Sequence, residues 1–121
     1  MKQEKRFPAY GYCLLLAAVF LTVCTKSSFL YPMTDWVDAN IYFTIGKGMM
    51  RGLVPYRDLF DQKGPSVFLL YGLCSLLSDT SFLGVYLAEI LSFSVFLYFS
   101  YKTVRLFAER GALLFLPLLA A

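Results

Sequence analysis

Two long apolar runs constrain this chain more than any other feature. Residues 9–25 carry no charged side chain, and residues 82–101 carry a single one, Glu89. At about 1.5 Å of rise per residue, a helix of roughly 20 residues matches the hydrocarbon thickness of a bilayer, about 30 Å. Hydrophobic residues make up 59% of the sequence and aromatics 18%, whereas ordinary soluble domains are about 45–50% apolar. A length of 121 residues suits one small water-soluble domain, but apolar residues gathered in blocks point to bilayer spans rather than a globular core. The expected fold class is all-α, a polytopic transmembrane helical protein.

The order of segments fills in this outline. Lys2, Lys5 and Arg6 precede the first run, a layout shared by signal peptides and first transmembrane helices. No small-x-small pattern stands before Lys26, and Val23 rather than a small residue precedes Cys24, so a retained span over 9–25 is favoured over a cleaved leader or lipoprotein. The positive-inside tendency then places the N-terminus in the cytoplasm. Residues 26–64 mix Asp35, Asp38, Asp58 and Asp61 with Lys26, Lys47, Arg51, Arg57 and Lys63, and so belong at the extracytoplasmic surface. Within them Ile41, Tyr42, Ile45, Met49 and Met50 recur at helical spacing, which predicts an amphipathic juxtamembrane helix over 35–51, ended by Gly52 and Pro55. Gly46 and Gly48 count against that helix, each by about 1 kcal/mol of propensity.

Residues 65–78 form a second apolar run that reaches only about 21 Å as a helix. A polar turn follows, then the full-length run 82–101, a polar connector over 102–110, and the start of a fourth apolar segment at 111–121. The last of these is read as the front of a span cut short, making the chain the N-terminal part of something longer. The charges conflict with the simplest threading. If 65–78 and 82–101 both cross, Lys102, Arg105 and Arg110 end outside, against the positive-inside tendency. If 65–78 is a re-entrant or tilted half-span, they stay in the cytoplasm.

Several functions are excluded on composition. The eleven Lys and Arg form no continuous basic stripe, so nucleic acid is not an expected partner. Cys13, Cys24 and Cys74 lie inside apolar runs without CxxC spacing, and the chain has no histidine, so the cysteines read as small buried hydrophobes. Asp58 and Asp61 suit either a divalent metal ion held through oxygen or a solvated surface, and no other cofactor is expected. Glu89, an acid within an apolar run, is a functional suspect by its cost in lipid. The competing reading is a protonated or hydrogen-bonded side chain beside a Ser or Tyr.

The strip "VPYRDLFDQKGP" (54–65) packs ionisable residues and two prolines against the second apolar run. The plain reading is a turn and a helix start with solvated charges. Taken with the preceding residues, "DANIYFTIGKGMMRGLVPYRDLFDQKGPSVFLLYGL" resembles the first external loop and second helix of the C-type (GT-C) membrane glycosyltransferases, the group that holds the protein O-mannosyltransferases and the lipid A aminoarabinose transferase. Asp38, Tyr42, Gly52, Pro55, Tyr56, Lys63, Gly64 and Pro65 fill the places of the family pattern.

The resemblance implies transfer of a sugar from a polyprenyl-phosphate donor, with inversion, to a hydroxyl of a glycan, lipid or protein acceptor at the outer face of a bacterial cytoplasmic membrane. It implies Asp38 as the base, with Asp35 as base or helper, since Ala39 stands where relatives often carry Glu. Helix capping is the competing role for either acid. Lys63 matches the family's phosphate-binding cation. Arg57 is a weaker addition, and Tyr42 and Tyr56 complete the substrate-binding set. Gln62 stands where some relatives carry Glu, which weakens a metal contact there. The family's threading has both later runs crossing, giving about three spans before the clipped fourth and placing 102–110 outside. A non-enzymatic membrane protein whose loop binds a partner or anionic lipid is the alternative function.

Overall fold

The computed structural model describes residues 6–31 and 34–107. Lys2, Lys5, Arg110 and the predicted segment 111–121 lie outside the described residues. The described residues form four α-helices and no strand: α1 (Arg6–Cys24), α2 (Val37–Met50), α3 (Pro65–Ser75) and α4 (Leu83–Phe107). Of these, α4 alone is long and apolar enough to cross a membrane. The all-helical class is thus seen among the described residues.

Two compact units share the chain. The first joins α1 to the portion of α4 from Glu89 onward. Its core is Cys13, Ala17 and Leu97, flanked by Leu16, Phe20, Ile90, Phe93, Tyr98 and Tyr101. The small side chains of Cys13 and Ala17 let the two helices approach closely. Tyr10 meets Tyr98 edge-on at 5.6 Å and its hydroxyl lies 3.3 Å from Ser94 Oγ, while Phe20 stacks on Phe93 at 5.7 Å. Early residues of α1 therefore meet late residues of α4, and the two run antiparallel. Each helix also exposes a second apolar stripe, Leu15, Val19 and Val23 on α1 and Leu91, Val95 and Phe99 on α4. A helix apolar on more than its packed face suits lipid, because each large apolar side chain left in water forgoes about 1.5–3 kcal/mol.

The polar connector expected from residue 102 is helical as far as Phe107. Nothing in this stretch breaks a helix, and two cations are held one turn from aromatic rings: Lys102 Nζ lies 5.7 Å from the Tyr98 ring and the Arg105 guanidinium 5.7 Å from the Tyr101 ring. Positive charge near a helix C-terminus is further favoured by the backbone dipole.

The second unit is Thr25–Ala88. Its α2 and α3 pack through backbone: a β-carbon at Gly46 would collide with the Gly72 amide nitrogen and come within 2.6 Å of the Phe68 carbonyl oxygen, and one at Gly72 would come within 2.7 Å of the Gly46 carbonyl oxygen. Contacts advance in the same sense along both helices, from Tyr42 against Phe68 and Tyr71 to Gly46 against Gly72. Phe43, Cys74 and Val85 form the core beside them, with Phe43 stacked on Phe82 at 4.7 Å. Gly84 continues the pattern, since a β-carbon there would collide with the Cys74 carbonyl. The two glycines that weaken α2 as an isolated helix are thus explained: Gly46 faces α3, and Gly48 faces Leu59, whose Cδ1 would lie 2.5 Å from an added β-carbon. Gly52, at φ +90°, ends α2 in the left-handed region as its position past the last turn requires.

Gly46→Ala should therefore destabilise the protein by about 1–3 kcal/mol, the usual range for overpacking against atoms that cannot rotate away. Gly11→Ala, with open space around its α-carbon, should instead stabilise by up to about 1 kcal/mol of helix propensity. Denaturation in detergent followed by circular dichroism measures both.

Candidate functional site

The segment between α2 and α3 folds against their shared face. The Asp58 amide donates to Val54 O at 2.9 Å, the Tyr56 amide to Leu59 O at 2.7 Å, and the Val54 amide to Asp58 Oδ2 at 2.8 Å. Asp58 in turn accepts both Arg57 Nε (2.9 Å) and Nη2 (2.8 Å). Tyr56 has φ +68°, a strained value for a residue with a β-carbon. Two contacts hold it there: its ring lies 6.2 Å from that of Phe68, and its hydroxyl donates to the Lys63 carbonyl. Tyr42 reaches the same fully buried Phe68 ring from α2, at 6.0 Å. The two tyrosines assigned to substrate are thus brought together on Phe68, as packing around one aromatic post.

The charges sort into pairs. Lys26 binds Asp35 at 2.5 Å, Arg57 binds Asp58, and Asp79 receives both Lys47 at 3.0 Å and Arg51 at 3.2 Å. Lys47 also donates to the Asp79 carbonyl at 2.7 Å. Asp61 accepts the Gln62 amide, and its other oxygen is shut from solvent with no partner among the described residues. Asp38, in the first turn of α2, and Lys63, next but one before α3, are exposed and form no ion pair among the described residues.

Three carboxyls are held below the ordinary range by these partners. The Lys26 hydrogen bond does this for Asp35, the Arg57 hydrogen bond and then the Val54 amide for Asp58, and the Lys47 hydrogen bond first for Asp79. A depressed pKa makes a weak proton acceptor, so the Lys26 partnership suits Asp35 poorly to act as a base. A divalent ion fits the loop poorly. Both Asp58 oxygens are engaged by Arg57 and the Val54 amide, and among the described residues no three acidic or cysteine side chains gather.

One face of α2 and the loop after it form an open groove of about 370 Å³, lined by Val37, Asn40, Ile41, Thr44, Ile45, Leu59 and Phe60. Its side-chain donors are engaged: Asn40 Nδ2 donates to Thr34 O and Trp36 O, and Thr44 Oγ1 to Asn40 O. What remains for a ligand is an apolar trough.

Asp79 and Phe68 were not among the residues singled out from the sequence. A signal for Asp79 existed, since Lys47 on α2 and Arg51 just past its end stand four positions apart and call for an acid. Phe68 carried none, being one apolar residue in an apolar run. No family model matches the chain, and neither the curated proteins nor the solved structures contain a significant match to it.

Carboxyls with depressed values stabilise the fold above their unfolded pKa, and the contribution is lost as pH falls through the folded value. The protection factors of the loop amides, taken relative to their intrinsic exchange rates, should therefore be constant between about pH 8 and 5 and fall below about pH 4. Asp58→Asn should lose protection at Val54 already at neutral pH. Hydrogen exchange read by mass spectrometry checks both.

Proposed function

We propose that this chain carries the donor-side loop of a membrane glycosyltransferase, which moves a sugar from a polyprenyl phosphate to an acceptor hydroxyl at the extracytoplasmic face of a bacterial cytoplasmic membrane. The protein is multi-pass, with its N-terminus in the cytoplasm. The observation that carries the reading is the charge inventory of Thr25–Ala88: Asp38 and Lys63 are the exposed acid and cation that form no ion pair among the described residues. They are also among the residues that the resemblance to C-type glycosyltransferases assigns to base and phosphate binding, beside Asp35 and Arg57.

In this mechanism the Asp38 carboxylate takes the proton of the acceptor hydroxyl as its oxygen bonds to the anomeric carbon from the face opposite the phosphate. The carbon–oxygen bond to the lipid phosphate breaks with inversion, and the Lys63 ammonium steadies the charge that grows on the departing phosphate. The apolar trough along α2 suits a prenyl chain, which needs burial and no hydrogen bonds. Asp35, Arg57 and Asp58 hold the scaffold in shape through the pairs already described.

Transfer of labelled sugar from a polyprenyl-phosphate donor, measured in membranes containing the protein, tests this. Asp38→Asn should lower the rate about 10²–10⁴-fold, and Lys63→Ala by about 10²–10³-fold. Asp35→Asn should leave it near wild type. Full transfer by Asp38→Asn, with normal membrane insertion, overturns the assignment and favours a non-enzymatic membrane protein that binds a partner or anionic lipid.

A further inference from the structure

We propose that Tyr56 is a positioning residue for Lys63: its hydroxyl holds the main chain at Lys63 and so sets where the Lys63 ammonium can meet a lipid phosphate. This role rests on the reading of Lys63 as the cation for that phosphate.

The backbone supplies the first sign. Tyr56 sits at φ +68°, in the left-handed region that glycine enters freely and residues with a β-carbon seldom do. Were a turn the only requirement, glycine would serve it better. Nor does burial account for a tyrosine there, since the residue stays 47% exposed and meets Phe68 at a centroid distance of 6.2 Å. A half-exposed side chain on a strained backbone is held for what it reaches.

What it reaches is the Lys63 carbonyl, to which the hydroxyl donates. The turn at 54–59 is closed on itself. Its Tyr56 amide donates to Leu59 O at 2.7 Å, its Asp58 amide to Val54 O at 2.9 Å and its Val54 amide to Asp58 Oδ2 at 2.8 Å. Residues 60–63 lack that support, and the Gln62 amide donates to the neighbouring Asp61 carboxylate. Among the described residues the Tyr56 hydroxyl makes the one hydrogen bond from this turn to residues 60–63. It arrives at Lys63 itself, next to Gly64, the N-cap of α3. The Tyr56 ring meanwhile leans on Phe68, which is fully buried. Tyr56 therefore joins a closed turn and a buried ring to the Lys63 main chain, while the Lys63 side chain stays exposed and outside the ion pairs among the described residues.

Without the hydroxyl, residues 60–63 move more freely, and the ammonium on its flexible four-carbon stem is spread over a larger volume. A cation spread in that way binds phosphate more weakly, because it must be ordered at the moment of binding.

Binding of undecaprenyl phosphate, as the bare lipid-phosphate probe, to the protein in nanodiscs tests this, read as Kd alongside amide exchange of residues 60–64. Tyr56→Phe keeps the ring and removes the hydrogen bond. It should raise Kd about 3–10-fold and speed exchange at 60–64, while α2 and α3 stay protected. Lys63→Ala should raise Kd further. Tyr56→Phe added to Lys63→Ala should change it by less than about 2-fold, because a residue that acts through Lys63 then has nothing left to position. Tyr56→Gly, which suits the backbone, should weaken binding at least as much as Tyr56→Phe. Unchanged affinity or exchange in Tyr56→Phe, full affinity in Tyr56→Gly, or an equal effect of Tyr56→Phe with and without Lys63 overturns the positioning role and leaves Lys63 as the phosphate cation. Wild-type affinity in Lys63→Ala removes the reading of Lys63 itself, and this role with it.

Discussion

The close approach of α2 and α3 at Gly46 and Gly72 is the constraint on which the second unit depends. Backbone meets backbone there, which brings Tyr42 to Phe68 and carries Lys47 and Arg51 to Asp79. Once Phe68 is buried against α2, Tyr56 can lean on its ring and be tied to the Lys63 carbonyl. The loop conformation is thus a downstream effect of two missing side chains. A single β-carbon at either position would be felt along this chain of contacts as far as the backbone of Lys63.

The apolar runs made the helices legible in the sequence, because a long block without charge permits few alternatives. Their ends were less legible. The helix α4 continues through Lys102 and Arg105, since each cation finds an aromatic ring one turn back, a favourable pairing that charge counting reads as a connector. The helix α3 stops at Ser75, although the apolar run goes on to Leu77, because hydropathy says nothing about where a backbone turns. Gly46 and Gly48 looked like defects in α2 for a related reason: propensity describes an isolated helix, and here the partner helix and Leu59 need the room.

The residues of the candidate site could be listed from the sequence, but not which of them pair with one another. Asp35 and Asp38 are near neighbours of the same type, and sequence alone left either as the base. What differs is Lys26, nine positions upstream, which pairs with Asp35, while Asp38 forms no ion pair among the described residues. Arg57 is likewise committed to its neighbour Asp58. Tyr42 and Tyr56 matched the family pattern as substrate-binding residues, and here both pack on Phe68; the pattern records which residues occur, and their contacts are set by a ring that no pattern marked.

The near-complete pairing of charges in Thr25–Ala88 has an electrostatic corollary. With equal numbers of Lys plus Arg and Asp across that stretch, it projects little net field beyond a Debye length, about 8–10 Å in ordinary saline. An anionic ligand would be neither drawn in nor turned away from a distance, so its capture rate should respond only weakly to ionic strength. Selectivity would then be exercised at short range, in the last few ångströms before contact.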